Sequence, residues 1–470
     1  MRLFIPATLA LMLAVPVHAG DLYDIYKLAG KQDSQILSSA ATLDANRENT
    51  PIARSTLLPL LNFIGTTVYV GSYRDTFSNS SDSFTRNRIT LNVTQAIFNR
   101  ASWMNFQKAM HGVNAAEAAY QAEEQFLIIR VAEAYFSVLA AQDDLNFSRS
   151  ESRAIRKQLD QAQQRYDVGL IAITDVHEAQ SAYDNARAQE IEAENALGNA
   201  REALREIIGS DPGKLANLKS SISLSRPQPS DIEYWANQAL DNNPVVKAAE
   251  ETVEASSREV EVQRSGHYPT LDLVGNAVKE EYGNAPIVDQ FRDQETSNIG
   301  LELRIPLYSG GRTSASTSQA RHNLRAERYN LEASKREAAR NVRNAYRGVI
   351  TGISQVNALA AARVSAQSAL NATQAGYDVG TRTLVDVLIA ERNLFSARRG
   401  YAQARYQYVL NDLLLRQAAG TLGEDGQWTV LPGELEGLTL TLPDGATGSL
   451  SFKVTARSTE LGNGDFAETS

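Results

Sequence analysis

One stretch constrains this chain more than any other, because it occurs twice. Tyr166-Asp167-Val168-Gly169-Leu170-Ile171-Ala172-Ile173-Thr174-Asp175-Val176 returns 211 positions later as Tyr377-Asp378-Val379-Gly380-Thr381-Arg382-Thr383-Leu384-Val385-Asp386-Val387. Each copy lies between long segments rich in Ala, Gln and charged residues. Gly169 and Gly380 each follow a run of helix formers, where glycine takes the left-handed conformation without Cβ strain and ends the helix. A hydroxyl and an acid follow in the second copy, and Thr383-x-x-Asp386 offers a capping box for a new helix. Each copy therefore reads as a tight turn between two helices, and two such turns imply a tandem duplication.

The rest of the chain repeats around these turns. Residues 1–19 read as a signal peptide, with Arg2, a short apolar run and Val17-His18-Ala19 as a cleavage site. The first repeat spans 20–225. It holds a helix over 22–56 with Leu22, Ile25, Leu28, Ile36 and Leu43 on one stripe, a β-hairpin over 60–98, a long helix over 101–168, the tip 166–176, a helix over 173–208 and a linker. The second repeat spans 226–420, with a helix over 231–265, a β-hairpin over 270–308, a long helix over 312–379, the tip 377–387 and a helix over 383–419. Residues 421–470 hold one strand-like piece, 438–442, in an otherwise mobile-looking tail.

In the hairpins the hydrophobic period drops from 3.6 to 2. Leu61, Phe63 and Tyr69 alternate with polar residues, as do Ile89, Leu91 and Val93, Leu271 and Leu273, and Ile299, Leu301 and Leu303. Polar loops are expected at 72–85 and 282–296. Strands of about ten residues span a membrane when tilted. The fold class expected is mostly α, with long helical hairpins and a β-barrel portion. Each long helix would reach roughly 100 Å, and the shorter ones stack end to end beside it. The strands then lie at the end away from the tips. Four strands cannot close a barrel, and an open edge in lipid leaves backbone groups unsatisfied. Three copies would supply twelve strands, an even number within the range of outer-membrane barrels.

Composition excludes other classes. The net charge of −9 argues against a nucleic-acid binder that works by neutralising phosphates. There is no cysteine and only five scattered histidines, so no thiolate site, no metal centre and no cofactor is expected. No phosphate-binding glycine loop, HExxH or nucleophile–base constellation stands out, so the chain is not read as an enzyme. A coiled-coil scaffold of the periplasm or cell surface is the alternative to a channel. The four amphipathic strands count against it, and detergent dependence separates the two.

The paired tips, the run Pro306-Leu307-Tyr308-Ser309-Gly310-Gly311-Arg312 and the duplicated element order resemble the TolC-type family of outer-membrane efflux and secretion channels. The resemblance covers roughly residues 21–420, and Arg382-Thr383-Leu384-Val385-Asp386-Val387 is its most specific part. It implies a homotrimer with a 12-stranded β-barrel in the outer membrane of a Gram-negative bacterium and an α-barrel in the periplasm. The inter-repeat linker and the residues after Ala419 would form an equatorial belt. It also implies docking to a periplasmic adaptor, a membrane fusion protein, and to an inner-membrane pump or ABC secretion ATPase. The chain would be the exit duct of a tripartite efflux pump or a type I secretion system, with cargo chosen by those partners.

The resemblance further implies that Thr174, Asp175, Tyr377 and Arg382 latch the tips closed. An Arg–Asp bridge would be bidentate and charge-assisted. The residues alone leave open that Asp175 and Asp386 simply cap helices and that Tyr377 packs the turn. Asp386 matches the family's acidic constriction, where three carboxylates would attract cations. The family pattern carries a second acid one turn later. Here Ile389 stands in that place, leaving one acidic ring beside an apolar one.

Overall fold

The computed structural model describes residues 20–75, 80–219, 222–284 and 292–423. The expected signal peptide, the piece at 438–442 and residues 424–470 of the tail lie outside the described residues, as do 76–79 and 285–291 in the expected loops. The chain forms two compact units. One takes the described residues up to 37, with 124–236 and those from 341 on; the other takes 38–123 and 237–340.

Chain order starts with α1 (Leu22–Gln32), α2 (Ser34–Arg47) and α3 (Asn49–Ser55). The single helix expected over 22–56 is thus broken. Asp33 leaves the helical region with ψ 119°, and its carboxylate accepts the backbone N–H of Ile36 at 2.8 Å. It closes one helix and caps the next, which the stripe alone does not reveal. Leu28 is exposed and Ala29 takes the buried place instead. Two strands follow, β1 (Leu60–Asp75) and β2 (Ser80–Phe98), then α4 (Arg100–Asp167) and α5 (Ile173–Ile208).

The second half contains α6 (Ile232–Asn242), α7 (Pro244–Arg264), β3 (Thr270–Gly283), β4 (Gln294–Arg304), α8 (Arg312–Asp378) and α9 (Leu384–Ala418). Here too the expected helix over 231–265 is broken, at the duplicate of Asp33. Asn243 sits at ψ 120°, its side chain accepts the Val245 N–H, and Pro244 opens α7 where its missing donor costs nothing. A 3₁₀ turn, Ser265–His267, ends this helix.

The strands form one antiparallel sheet in the order β1-β2-β3-β4. The first hairpin outruns the expected loop at 72–85, for Tyr73 pairs with Asp82 and Asp75 with Ser80. Alternation fades there, but the backbone ladder continues, because polar residues on both faces do not prevent pairing. β4 stops at Arg304 rather than 308, before Pro306, which has no N–H to give the ladder. Register places Phe63 opposite Leu91, Leu91 opposite Ala277, Gly275 opposite Ile299 and Leu273 opposite Leu301, all on one face. Phe63, Ile299 and Leu301 are 71%, 76% and 67% exposed on that apolar face. The opposite face carries an unbroken row of carboxamides, Asn62, Asn92, Asn276 and Asn298. Among the described residues β1 and β4 keep one unpaired edge each.

Candidate functional site

Both duplicated stretches build the same turn. In the first, the Gly169 N–H donates to the Tyr166 carbonyl at 2.8 Å and the Leu170 N–H to the Arg165 carbonyl at 2.8 Å. In the second, Gly380 donates to Tyr377 at 3.0 Å and Thr381 to Gly376 at 2.8 Å. These are paired 6→1 and 5→2 bonds, closed by glycines at φ 76° and 81°. The duplication is therefore structural down to individual hydrogen bonds.

The helices that leave the turns begin differently. Thr383 caps α9, its hydroxyl accepting the Asp386 N–H at 3.2 Å while the Asp386 carboxylate accepts the Thr383 N–H at 2.9 Å. The Thr383 backbone and hydroxyl, with the charge of Arg382 adding, hold Asp386 below the usual carboxylate range. At the start of α5 the cap is Ala172, whose methyl group can make no cap hydrogen bond. Asp175 and Thr174 are left in that first turn, half-exposed and exposed respectively. So Asp386 is a capping residue, as the local reading allows, and it still meets solvent.

The latch residues do not meet within one chain. No ion pair joins Arg382 to Asp175 among the described residues. The Arg382 side chain lies instead against Gly376, where a Cβ would come within 2.7 Å of the Arg382 Cγ. Tyr377 is 9% exposed and packs into an apolar cluster with Ile155, Ala162, Val176, Leu384 and Val387, whereas its duplicate Tyr166 is 39% exposed. The Tyr377 ring lies under the Arg165 guanidinium, 4.7 Å from its centroid, and Arg165 also reaches Asp378 at 4.0 Å. Arg165 therefore ties the end of α4 to the end of α8. The sequence held a signal for it, since the duplicate position is Gly376 and the two turns differ there in charge and bulk.

A polar layer sits one step deeper. The Gln158 amide of α4 donates to Gln374 of α8 and to Glu391 of α9, both at 3.3 Å. Glu391 is 6% exposed. Nearby, buried Glu151 is held by Arg399 at 2.6 Å, and Arg399 also contacts Asp144 at 2.7 Å. A groove of about 630 Å³ opens beside the layer, walled by Glu178, Ser181 and Asn185 of α5 and by Val385, Ile389 and Arg392 of α9. Ile389, expected next to the acidic ring, is 43% exposed on this wall. No group of His, Asp and Glu among the described residues could hold a metal ion.

A family model described as outer membrane efflux protein matches residues 25–210 and 235–421, one match to each repeat. The chain is 39% identical over 435 residues to the outer membrane protein TolC of Vibrio cholerae, covering 92% of this chain and 97% of that protein. It is 29% identical over 426 residues to the alkaline protease secretion protein AprF of Pseudomonas aeruginosa, covering 88% and 87%. Its fold matches the CmeC outer membrane channel of Campylobacter jejuni with a TM-score of 0.75, at 18% identity and 85% coverage of each chain.

Proposed function

The chain belongs to the outer membrane efflux protein family, and on that premise we propose that its hairpin tips are the gate of an export duct. The chain is an outer-membrane exit duct for efflux and type I secretion in a Gram-negative cell, working with pump or secretion components. The observation that carries the membrane assignment is the sheet, with an apolar belt on one face and, among the described residues, two unpaired edges. Lipid would solvate that face, and only further strands can satisfy those edges. A homotrimer with a 12-stranded barrel is the reading that meets both needs. The carboxamide row then faces the lumen. The reading includes removal of residues 1–19 on export, and an equatorial belt from the inter-repeat linker and the residues after Ala419.

At the tips, Arg382 and Asp175 stay apart within a chain while both reach solvent, which supports pairing between neighbouring protomers. Thr174 lies in the same first turn as Asp175 and would join that contact. Tyr377 acts differently, as a packed ring clamped by Arg165 rather than as a hydrogen-bond donor to the first hairpin. Asp386 from three copies would form an acidic ring at the constriction, with Ile389 one turn behind. The groove between α5 and α9 supports docking of a periplasmic adaptor there, because it combines an apolar floor with charged walls. Purification in mild detergent tests the assembly: a stable trimer that conducts in planar bilayers is expected. A monodisperse monomer with an intact β-sheet signal removes the reading.

A further inference from the structure

Two acceptor atoms in the tip bundle are buried without a donor, and they belong to side chains already in contact. The Gln158 amide nitrogen bonds Glu391 Oε1, yet Gln158 Oε1 and Glu391 Oε2 are both buried and unpartnered. A carboxylate accepts only, whereas a carboxylic acid also donates one hydrogen bond. One proton on Glu391 therefore gives that group the donor the layer lacks. A buried acceptor left without one keeps its full desolvation cost.

We propose that Glu391 is a proton-binding site of the gate, neutral in the packed tip and ionised when the two hairpins part. The proposal rests on the gate reading above. The Gln158–Glu391 contact crosses from the first hairpin to the second, so separating them wets the carboxyl. The groups around it agree. From α4, Glu151 disfavours ionisation and Lys157 favours it; Arg399 of α9 is spent on Glu151 and Asp144. α8 presents the neutral Gln374, and Glu178 of α5 and Arg392 of α9 line the adjoining groove. Burial, first, pushes the Glu391 carboxyl up from its ordinary value, the Gln158 amide bond opposes it, and Glu151 adds to the rise. A group raised in the packed state stabilises it fully below the ordinary carboxylate pKa. That contribution is lost as pH rises through the raised one. The tip should thus close more tightly in acid and loosen towards alkaline pH.

Single-channel recording of the assembled protein at about pH 5.5 and pH 8.5 reads this directly. Each unit of pKa difference between the closed and open tips is worth up to tenfold in the open-to-closed ratio, so a rise of order tenfold is expected. Glu391→Gln should hold the parent's acid behaviour at both values. Asp386→Asn should keep the parent's pH response, which separates the two acids. An infrared carbonyl band of a buried protonated acid, present at the acid pH of the recordings and lost in Glu391→Gln, reports the proton without requiring conduction. A parent whose gating ignores pH, a Glu391→Gln channel that still responds, or an absent band overturns the proposal. A protein that never conducts but shows the band removes the duct reading instead.

Discussion

Arg165 should prove to be a working part of the gate, and its loss can be sized from the structure. Its guanidinium is 38% exposed and stacks 4.7 Å from the Tyr377 ring centroid, a contact worth about 1 kcal/mol at such partial exposure. The pair with Asp378 at 4.0 Å is largely solvated and adds about 0.3 kcal/mol. Both contacts cross from α4 to α8, so they hold the hairpins together without stabilising either alone. Losing about 1.3 kcal/mol shifts the open-to-closed ratio by nearly tenfold in each protomer. Arg165→Ala should therefore raise the open probability in planar bilayers by roughly that factor, with helix content unchanged by circular dichroism. Tyr377→Phe should stay close to the parent, since the ring and its stacking persist and, among the described residues, the hydroxyl makes no bond across the hairpins. Arg165→Ala in a Tyr377→Ala background should add little further, because the two changes remove one contact. A parental open probability in Arg165→Ala, with opening in Tyr377→Ala, would refute the clamp and leave Tyr377 as packing alone.

Other outcomes follow from single contacts. The Thr383 bonds that keep the Asp386 carboxyl low should preserve cation selectivity further into acid than an ordinary carboxylate would, and Thr383→Ala should move its loss to higher pH in reversal-potential measurements. Ionised Asp386 supports its cap above the ordinary carboxylate pKa and stops doing so as pH falls through the lowered one, so the loss lies on the acid side. Gly376→Ala should displace Arg382 and raise the open probability, while Gly112→Ala, with open space around it, should be neutral in the same recordings. Leu301→Arg on the apolar face should cost about 2–4 kcal/mol near the bilayer midplane and deplete assembled protein, whereas Asn298→Arg on the other face should assemble.

The periodic parts of the fold were legible in the sequence, and the non-periodic ones were not. Alternation at Phe63, Leu91, Leu273 and Leu301 places one face of the sheet, because the side-chain period of a strand is two. The turns were legible because Gly169 and Gly380 leave few other options. The breaks at Asp33 and Asn243 were hidden, since a capping side chain interrupts a helix without interrupting its apolar stripe. Glu391 was hidden for the same kind of reason. It follows Leu384 by seven residues on a buried seam otherwise made of Val387, Leu388, Leu394 and Phe395, so the pattern assigned it no chemistry. Arg165 is marked only by the contrast with Gly376 in the duplicate turn, because its partner is 212 residues away and no local pattern reports such a contact. What a single chain shows also differs from what the resemblance suggested for Arg382 and Asp175, which await a second copy.

That last point gives the sharpest measurement. The chain contains no cysteine, so Asp175→Cys combined with Arg382→Cys places the only thiols in the protein at the two tips. Mild oxidation of the assembled channel should give a covalent ladder ending at the trimer, with conductance falling and returning on reduction. Crosslinks confined within single chains, or an oxidised trimer that conducts like the reduced one, would contradict a gate latched between neighbouring tips.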